Sequence, residues 1–262
     1  MSMRVAVDGI YFGRLQGLSG AQFAELTAAA GAEGVNWPFA EGYAQADDPG
    51  SWERCAELLG AKRLSVVSLA AATQNSAIAG EEEGYRAEIL AMANAAPVLG
   101  SKLIDCWPRM AEGASKPESQ RVLGANVQAV AGALEAAGIA ISFEFEPGTA
   151  VERYAESLEA LASLPPCARL TADTYHINRA GDDLIAAAHA MGDRLGILHI
   201  SGSHRGEPGS AGDTCDHEGF VRAAREAGYA GDLVLQYAPP EEVGDSLKRA
   251  VELCRGIVER TA

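Results

Sequence analysis

The chain has 262 residues, 48% of them hydrophobic, so its length is close to the roughly 250 residues of one (β/α)₈ barrel and it can build a sizeable core. Its formal net charge of −15 disfavours phosphate backbones and anionic membranes, so we expect neither nucleic acid nor a membrane as a partner. The five cysteines form no Cys-x-x-Cys pair, and no apolar run approaches the ~18 residues of a membrane span, which together predict a cytoplasmic protein.

Short apolar runs alternate with longer amphipathic stretches along the chain, a pattern typical of βαβ units around a parallel sheet. The predicted strands are residues 4–7, 33–37, 63–69, 102–106, 139–145, 169–173, 196–201 and 233–237. The predicted helices run from Ser19 to near Gly31, then over residues 51–59, 81–96, 117–137, 151–164, 182–191, 217–227 and 241–259. Ser19 with Gln22 forms a capping-box pattern, and Gly138 is placed to end the fourth helix.

Eight strand–helix units predict the fold class α/β, with residues 1–262 forming a single (β/α)₈ TIM barrel domain. An open, doubly wound sheet is the alternative. That fold would place a glycine-rich phosphate loop after the first strand, and the segment Asp8-Gly9-Ile10-Tyr11-Phe12-Gly13 does not match the spacing of a dinucleotide-binding loop. The sequence therefore favours the closed barrel.

Side chains with oxygen or nitrogen donors stand at the ends of four consecutive predicted strands. Glu144 lies in the fifth strand, Asp173 ends the sixth, His199 lies in the seventh and Gln236 lies in the eighth. In a closed barrel these strands are neighbours, and (β/α)₈ barrels carry their chemistry at the carboxyl ends of the strands. Carboxylate, imidazole and amide donors together suit a divalent cation such as Mn²⁺ or Mg²⁺, with Zn²⁺ as an alternative.

Each of these residues also has a purely structural interpretation. Asp173 could cap a helix or turn, His199 could be a hydrogen-bonded core residue, and Gln236 could be an ordinary strand-end amide. Glu144 stands in an apolar strand, where a glutamate is rarely buried without a purpose. Carboxylates placed together without a cation would raise each other's pKa values. The joint occurrence at four successive strand ends therefore predicts one metal site.

Four motifs extend this pattern: Phe143-Glu144-Phe145-Glu146-Pro147, Asp173-Thr174-Tyr175-His176, His199 followed by Arg205-Gly206-Glu207-Pro208-Gly209, and Gly228-Tyr229-Ala230-Gly231. Together they resemble the xylose-isomerase-like barrel superfamily, which includes ketose 3-epimerases, hydroxypyruvate isomerases and inositol-catabolism enzymes. The resemblance spans almost the whole chain.

The resemblance implies a role for each matching residue. Its relatives hold one divalent metal, often manganese, with a glutamate, an aspartate, a histidine and a glutamate on strands five to eight. By this resemblance Glu144, Asp173 and His199 are metal ligands, His176 touches substrate hydroxyls and Arg205 contacts substrate oxygens. It also implies a carbohydrate or keto-sugar substrate, Mn²⁺ foremost with Mg²⁺, Co²⁺ or Zn²⁺ as alternatives, and a homodimer or homotetramer.

The chain departs from this family at strand eight, where Gln236 replaces the glutamate. An amide oxygen can still ligate a metal, but it is neutral and a very poor base. In the epimerases the two glutamates work on opposite faces of the substrate, one removing a proton and the other returning it. Either a different residue completes the pair, or the reaction is not a two-base epimerisation.

Four residues are candidates for the missing acid or base: Glu146, His176, His204 and Asp105. Glu146 could instead cap the next helix, and His204 could be a solvated loop residue. Asp105 lines the pocket if it points inward, and faces a helix if it points outward.

Two tryptophans follow strands of the predicted barrel. Trp37 comes at the end of the second strand and Trp107 directly after the fourth. They could form an apolar wall for a sugar ring, although core packing explains them equally well. With Arg205, Glu146 and Asp105, they complete the predicted substrate-binding set.

The favoured hypothesis is a divalent-metal-dependent isomerase or epimerase acting on a sugar, keto-sugar or cyclitol through an enediolate, with Glu144, His176 and His204 as the catalytic candidates. The alternative is a metal-dependent lyase or hydrolase that performs β-elimination or dehydration on a keto-sugar derivative, for which one base is enough. A non-catalytic ligand-binding homologue is the third hypothesis. The superfamily's abasic-site endonucleases use many histidines, and the five here, with the acidic charge, argue against DNA.

Overall fold

Strands and helices alternate along the part of the chain that this computed structural model describes, residues 3–73 and 75–262. The strands are β1 (Val5–Asp8), β2 (Gly34–Phe39), β3 (Ser65–Ala71), β4 (Leu103–Cys106), β5 (Ala140–Glu144), β6 (Ala168–Asp173), β7 (Leu195–Ile200) and β8 (Leu233–Leu235). The helices are α1 (Gly20–Ala29), α2 (Gly50–Ala61), α3 (Glu82–Leu99), α4 (Lys116–Ala137), α5 (Tyr154–Leu161), α6 (Thr174–Arg179), α7 (Leu184–Met191), α8 (His217–Glu226) and α9 (Val243–Arg260).

The strands close into a barrel in chain order, and β1 pairs with β8 to complete it. Every pairing in the barrel is parallel. The predicted (β/α)₈ barrel is therefore confirmed, and the open sheet is wrong. Two local predictions are also confirmed: Ser19 and Gln22 form the capping box of α1, and Gly138 ends α4 in a left-handed conformation.

Helix α6 is the main addition to the predicted elements. It has six residues, too few for the amphipathic periodicity that reveals a longer helix, and the sequence predicted only a helix over residues 182–191 in this region. Asp173 caps its N-terminus by accepting a hydrogen bond from the backbone N–H of Tyr175. The helix predicted over residues 151–164 is shorter in the structure, where α5 covers Tyr154–Leu161. Strand β8 ends at Leu235, although the N–H of Gln236 still donates to the carbonyl of Ile200.

Two hydrophobic layers position the strand-end side chains. The main core lies between the strands and the helices, while a separate small cluster contains Ala6, Ile197 and Val234 with Val67 and Leu103 packed against it. Because side chains alternate between the two faces of a strand, residues two positions further along point in the same direction. The small cluster is thus the apolar floor inside the barrel, and the polar residues beyond it face the carboxyl-terminal mouth. Among the described residues, no helix is both long enough and apolar enough to cross a membrane.

Candidate active site

The inner side chains at the carboxyl ends of the strands form a buried polar cluster above the apolar floor. Asp105 and His199 each stand two residues beyond a floor residue on their own strand, and Gln236, directly after β8, stands two residues beyond Val234. Glu144 ends β5 and Asp173 ends β6, and all five side chains belong to residues with no solvent exposure. Strand alternation alone therefore directs the predicted donors towards one mouth of the barrel.

Glu144 lies at the centre of this cluster. Its Oε2 accepts a hydrogen bond from Trp107 Nε1, and its Oε1 lies 3.2 Å from His199 Nδ1. The same Oε1 is 3.8 Å from His176 Nε2. A fully buried carboxylate is thus compensated by an indole N–H and two imidazoles, which is the type of environment that retains a buried charge.

These contacts shift the proton equilibria of the cluster. Burial by itself would raise the pKa of Glu144, but the neighbouring His199, His176 and Arg205 outweigh it and hold that pKa below its usual range. Burial would lower the pKa of His199, but the charges of Glu144, Asp105 and Asp173 raise it to about 9. The contacts therefore favour the anionic form of Glu144, and the charge of Glu144 in turn favours protonation of His199.

Arg205 reaches into the cluster from the loop after β7. Its Nη1 donates to Asp173 Oδ2, and its Nη2 donates to Gln236 Oε1 at 2.8 Å and to the Tyr11 hydroxyl at 2.9 Å. The guanidinium carbon lies 4.8 Å from the ring centre of Tyr11 and 5.0 Å from that of Tyr175. The guanidinium is thus fixed by three hydrogen bonds and by two aromatic faces.

The donors fit a divalent cation. Glu144, Asp173 and His176 each offer a ligand atom, and these atoms all lie within 4.8 Å of one another. Both ring nitrogens of His176, and His199 Nε2, are buried without a hydrogen-bond partner among the described residues. Buried imidazole nitrogens are normally hydrogen-bonded, so free ones beside two carboxylates indicate ligands available for a metal. This group includes His176, which the sequence assigned to substrate hydroxyls.

Asp105 points inward, which resolves the choice that the sequence left open. Its Oδ2 accepts from Asn36 Nδ2 at 2.9 Å, its Oδ1 accepts from the Thr171 hydroxyl at 2.9 Å, and His199 Nε2 lies 3.5 Å away. Burial, and then the charge of Glu144, raise the pKa of this carboxyl. Asp105 therefore lies beneath the cluster as a hydrogen-bonded support.

Two other predicted residues, Trp37 and His204, lie away from the cluster. Trp37 packs among Phe23 and Tyr43 on the helix side of β2, so the core interpretation is correct and the sugar-wall interpretation is wrong for it. His204 is exposed. Its ring packs against Gly206 in the same loop, so closely that a side chain at that position would place its Cβ 2.6 Å from His204 Nε2. Its Nε2 lies 3.2 Å from Ser210 Oγ. Among the described residues, no hydrogen bond connects His204 to the buried polar cluster.

Glu146 does not cap the next helix, because Arg153 occupies the N-cap of α5. Its Oε2 instead lies 3.3 Å from His176 Nε2, at the edge of the cluster. Trp107 is also at the site, through its bond to Glu144 and its packing with Ile10 and Ala70. The structure thus brings together all the predicted residues except Trp37 and His204.

The sequence interpretation missed three residues of the site: Asp8, Asn36 and Tyr11. Asp8 ends β1, accepts from Asn36 Nδ2 at 3.0 Å and from the N–H of Tyr11, and has a pKa raised by burial to about 6. A carboxylate that ends an apolar strand is the same signal that identified Asp173, so it could have identified Asp8. No comparable signal marks Tyr11, because its contact with Arg205 depends on a loop conformation.

Comparisons with known proteins agree with this architecture. A family model for the xylose isomerase-like TIM barrel matches residues 24–255. L-ribulose 3-epimerase of Methylomonas sp. (strain DH-1) is 34% identical over 104 residues, and 3-dehydro-D-guloside 4-epimerase of Escherichia coli (strain K12) is 35% identical over 68 residues. These matches cover 38% and 26% of this chain, but only 36% and 25% of the two relatives.

Among solved structures, D-allulose 3-epimerase from Methylomonas sp. in complex with D-allulose superposes with a TM-score of 0.79. The superposition covers 97% of each chain at 20% sequence identity, so it shows a shared fold.

Proposed function

Because this chain belongs to the xylose isomerase-like TIM barrel family, we propose that it is a divalent-metal-dependent isomerase or epimerase of a sugar, keto-sugar or cyclitol. The observation that carries the proposal is the buried carboxylate of Glu144, which lies beside two imidazoles and the Trp107 N–H at the carboxyl-terminal mouth of the barrel. Relatives named as sugar epimerases support the substrate class.

Four residues would hold the cation: Glu144, Asp173, His176 and His199. A bound divalent cation would polarise a substrate carbonyl and thereby acidify the neighbouring C–H group. Mn²⁺ suits this mixture of carboxylates and imidazoles, and Zn²⁺ and Co²⁺ are alternatives. Gln236 is proposed only as a weak additional ligand, since its Oε1 already accepts a hydrogen bond from Arg205.

The proton carriers are concentrated on the β5–β6 side of the mouth. Glu144, His176 and Glu146 form a chain of contacts of 3.8 Å and 3.3 Å. Burial and the charge of Glu144 raise the pKa of Glu146, which favours its protonated form. On the β8 side, Gln236 is a neutral amide that cannot take up a proton. In the proposed reaction a proton therefore leaves and returns on the Glu144 side of an enediolate, which favours isomerisation by a same-face proton shift over a two-base exchange.

Arg205 would bind the substrate oxygens, as a fixed cation whose guanidinium is only partly covered. Its side chain is 15% exposed, and its bonds to Asp173, Gln236 and Tyr11 fix its direction. Trp107 donates its indole N–H to Glu144 and would help to keep water away from that carboxylate. These residues bind, orient and shield the substrate, while the β5–β6 residues move its proton.

A lyase is the second candidate function, and the neutral Gln236 favours it. β-Elimination from a 3-keto-glycoside, or dehydration of a keto-cyclitol, needs one base on one face. The Glu144 side alone supplies that base, whereas a two-base epimerisation would need a partner on β8.

The experiment is a product analysis by NMR in D₂O. The purified protein is loaded with Mn²⁺ and given a panel of ketopentoses, ketohexoses and a 3-keto-glycoside, with a chelator-treated sample as the control. We expect an isomerised sugar that carries deuterium at the exchanged carbon, formed only by the loaded sample; an epimerised sugar would show that a second proton carrier acts on the opposite face. Release of an aglycone, or formation of a dehydrated product, would support the lyase. Turnover at full rate after chelation, or a bound metal without any turnover, would contradict the proposal.

A further inference from the structure

The loop that carries Arg205 has an unusual backbone conformation. It joins β7 to α8, and within it Arg205 has a φ of +64°, in the left-handed region that residues with a Cβ rarely adopt. Such a conformation persists only where the surrounding structure over-determines it. The backbone of Arg205 is held at both ends: its N–H donates to the carbonyl of Gly202 at 2.8 Å, and its carbonyl accepts from Ala238 at 2.8 Å.

Asp213 holds the two halves of this loop together. Its Oδ1 accepts from the N–H groups of Ser203 at 2.9 Å and Cys215 at 3.0 Å, and its Oδ2 accepts from the N–H of Gly209 at 2.7 Å. The side chain is only 2% exposed. One carboxylate thus connects the residues on either side of Arg205 to the end of the loop.

His217 links the same carboxylate to helix α8. Its Nε2 donates to Asp213 Oδ2 at 2.7 Å, and the residue is buried. Burial would raise the pKa of Asp213, but the hydrogen bonds from His217 and from the backbone of Gly209, Cys215 and Ser203 outweigh it and lower that pKa. The anion is therefore the form that the loop requires, and a rigid helix fixes its position.

We propose that Asp213 is a positioning residue, which shapes the β7–α8 loop so that the guanidinium of Arg205 reaches the mouth of the barrel. The proposal rests on the proposed function, in which Arg205 contacts the substrate. Asp213 does not touch the reacting atoms, and acts only through the direction of Arg205.

A metal site in this loop is the rival explanation. Asp213, Cys215 and His217 offer ligand atoms that lie within 4.8 Å of one another. However, the four acceptor positions of the Asp213 carboxylate are already taken by three backbone N–H groups and by His217. Cys215 contributes its backbone N–H, and its thiol faces the carbonyl of Thr174 at 3.7 Å. This hydrogen-bonded arrangement favours the loop-shaping role.

The test measures the exposure of Arg205 without turnover, by phenylglyoxal labelling and peptide mass spectrometry. In Asp213→Asn we expect Arg205 to react about tenfold faster, because an amide cannot accept all four hydrogen bonds and the loop opens locally. Arg4, at the opposite end of the barrel, should react at an unchanged rate. A thermal melt confirms that the variant is folded.

Three further variants sharpen the test. Asp216→Asn is the matched control, since Asp216 is a neighbouring loop carboxylate that only caps α8 through the N–H of Gly219. Cys215→Ala keeps the backbone N–H. Both should label like the wild type. His217→Ala removes one bond of the four, so it should give a smaller increase than Asp213→Asn and serves as the readout if Asp213→Asn does not fold.

Steady-state kinetics with any sugar that the wild type converts then test the coupling between Asp213 and Arg205. The loss of kcat/KM in Asp213→Asn should disappear in an Arg205→Ala background, because a residue that acts through Arg205 has nothing left to position. Unchanged labelling of Arg205 in a folded Asp213→Asn protein would overturn the proposal. Loss of one bound zinc per chain in Cys215→Ala, with faster labelling, would overturn it in favour of the metal. If labelling responds but the wild type converts no sugar, the proposed function fails and the positioning role stands.

Discussion

The two ends of the barrel differ in what they offer a ligand. At the amino-terminal end, a cavity of about 770 Å³ is lined by Arg4, Lys102 and Arg169 with apolar strand residues. Arg4 there is paired with Asp232, Lys102 is exposed, and Arg169 is half-buried with its Nη1 donating to the carbonyl of Leu195. At the carboxyl-terminal end, the carboxylates of Glu144 and Asp173 are buried beside imidazoles and a fixed guanidinium. The comparison teaches that desolvated, mutually perturbed groups, rather than a cavity alone, mark a candidate for a functional site.

Glu144→Gln, at the carboxyl-terminal end, should cause the largest loss of activity. The amide keeps the shape of the side chain but loses its charge and its basicity, so we expect kcat/KM to fall by a factor of about 10³ or more. Steady-state kinetics with the Mn²⁺-loaded protein measure this loss. Retention of more than a tenth of the activity would show that the carboxylate is not the proton carrier.

Arg205→Lys should have the next largest effect. A lysine keeps the positive charge but cannot donate to Asp173, Gln236 and Tyr11 in the same fork geometry, so we expect kcat/KM to fall about 10- to 100-fold. Substrate kinetics measure the change, and circular dichroism controls for folding. A variant as active as the wild type would contradict the substrate-binding role of the guanidinium.

Gln236→Glu is expected to strengthen the carboxyl-terminal site. An added carboxylate on the β8 side supplies a charged oxygen ligand, so the affinity for Mn²⁺ should rise by about tenfold, or ~1.4 kcal/mol. Isothermal titration of both proteins after chelator treatment measures the difference. A weaker affinity in the variant would show that Arg205, and not the cation, takes up the new charge.

Asp213→Asn should lower stability in a pH-dependent way. Because the folded protein holds the pKa of Asp213 below the ordinary value of 3.8, its contribution is complete above about pH 4 and disappears as the pH falls through the folded pKa. We expect the wild type to be more stable by about 1–3 kcal/mol near pH 7, and the two proteins to converge in acid. Urea unfolding from pH 7 to about pH 2 measures the difference in free energy of unfolding between the two proteins, which should narrow below about pH 4. A difference that grows in acid would contradict the assignment.

Lys102→Gln, at the amino-terminal cavity, should have the smallest effect. Lys102 is exposed, and no hydrogen bond or ion pair of its side chain is found within the described ranges. We expect kcat/KM to change by less than about twofold, because surface substitutions outside packed or hydrogen-bonded positions usually have small effects. A loss comparable to that of Arg205→Lys would show that the amino-terminal cavity takes part in the reaction.

The fold was predictable because strand and helix periods are local properties of the sequence. Eight alternating units, the capping box at Ser19 and the glycine at position 138 all correspond to observed elements. The short helix α6 is not predictable by periodicity, and the sequence alone allows Asp173 to be either a helix cap or a metal ligand. That residue proves to have both a capping contact and a place in the cluster.

The site was predictable as far as it depends on strand ends. Glu144, Asp173, His199 and Gln236 face the same mouth because alternation and strand order fix their directions, but of the four only Glu144 and Asp173 belong to the group of ligand atoms within 4.8 Å, which His176 completes. His204 was misplaced and Tyr11 was missed because each depends on the shape of a loop, which no short pattern encodes. The engagement of Arg205 with Asp173 and Gln236 depends on a left-handed residue and on a carboxylate eight positions later in the chain.

Elemental analysis of the purified protein and of Glu144→Gln, after dialysis against Mn²⁺, tests the central claim most directly. The account predicts about one divalent ion per chain in the wild type and a large loss of it in the variant. An equal metal content in both proteins, or none in either, would contradict a cation site built on Glu144.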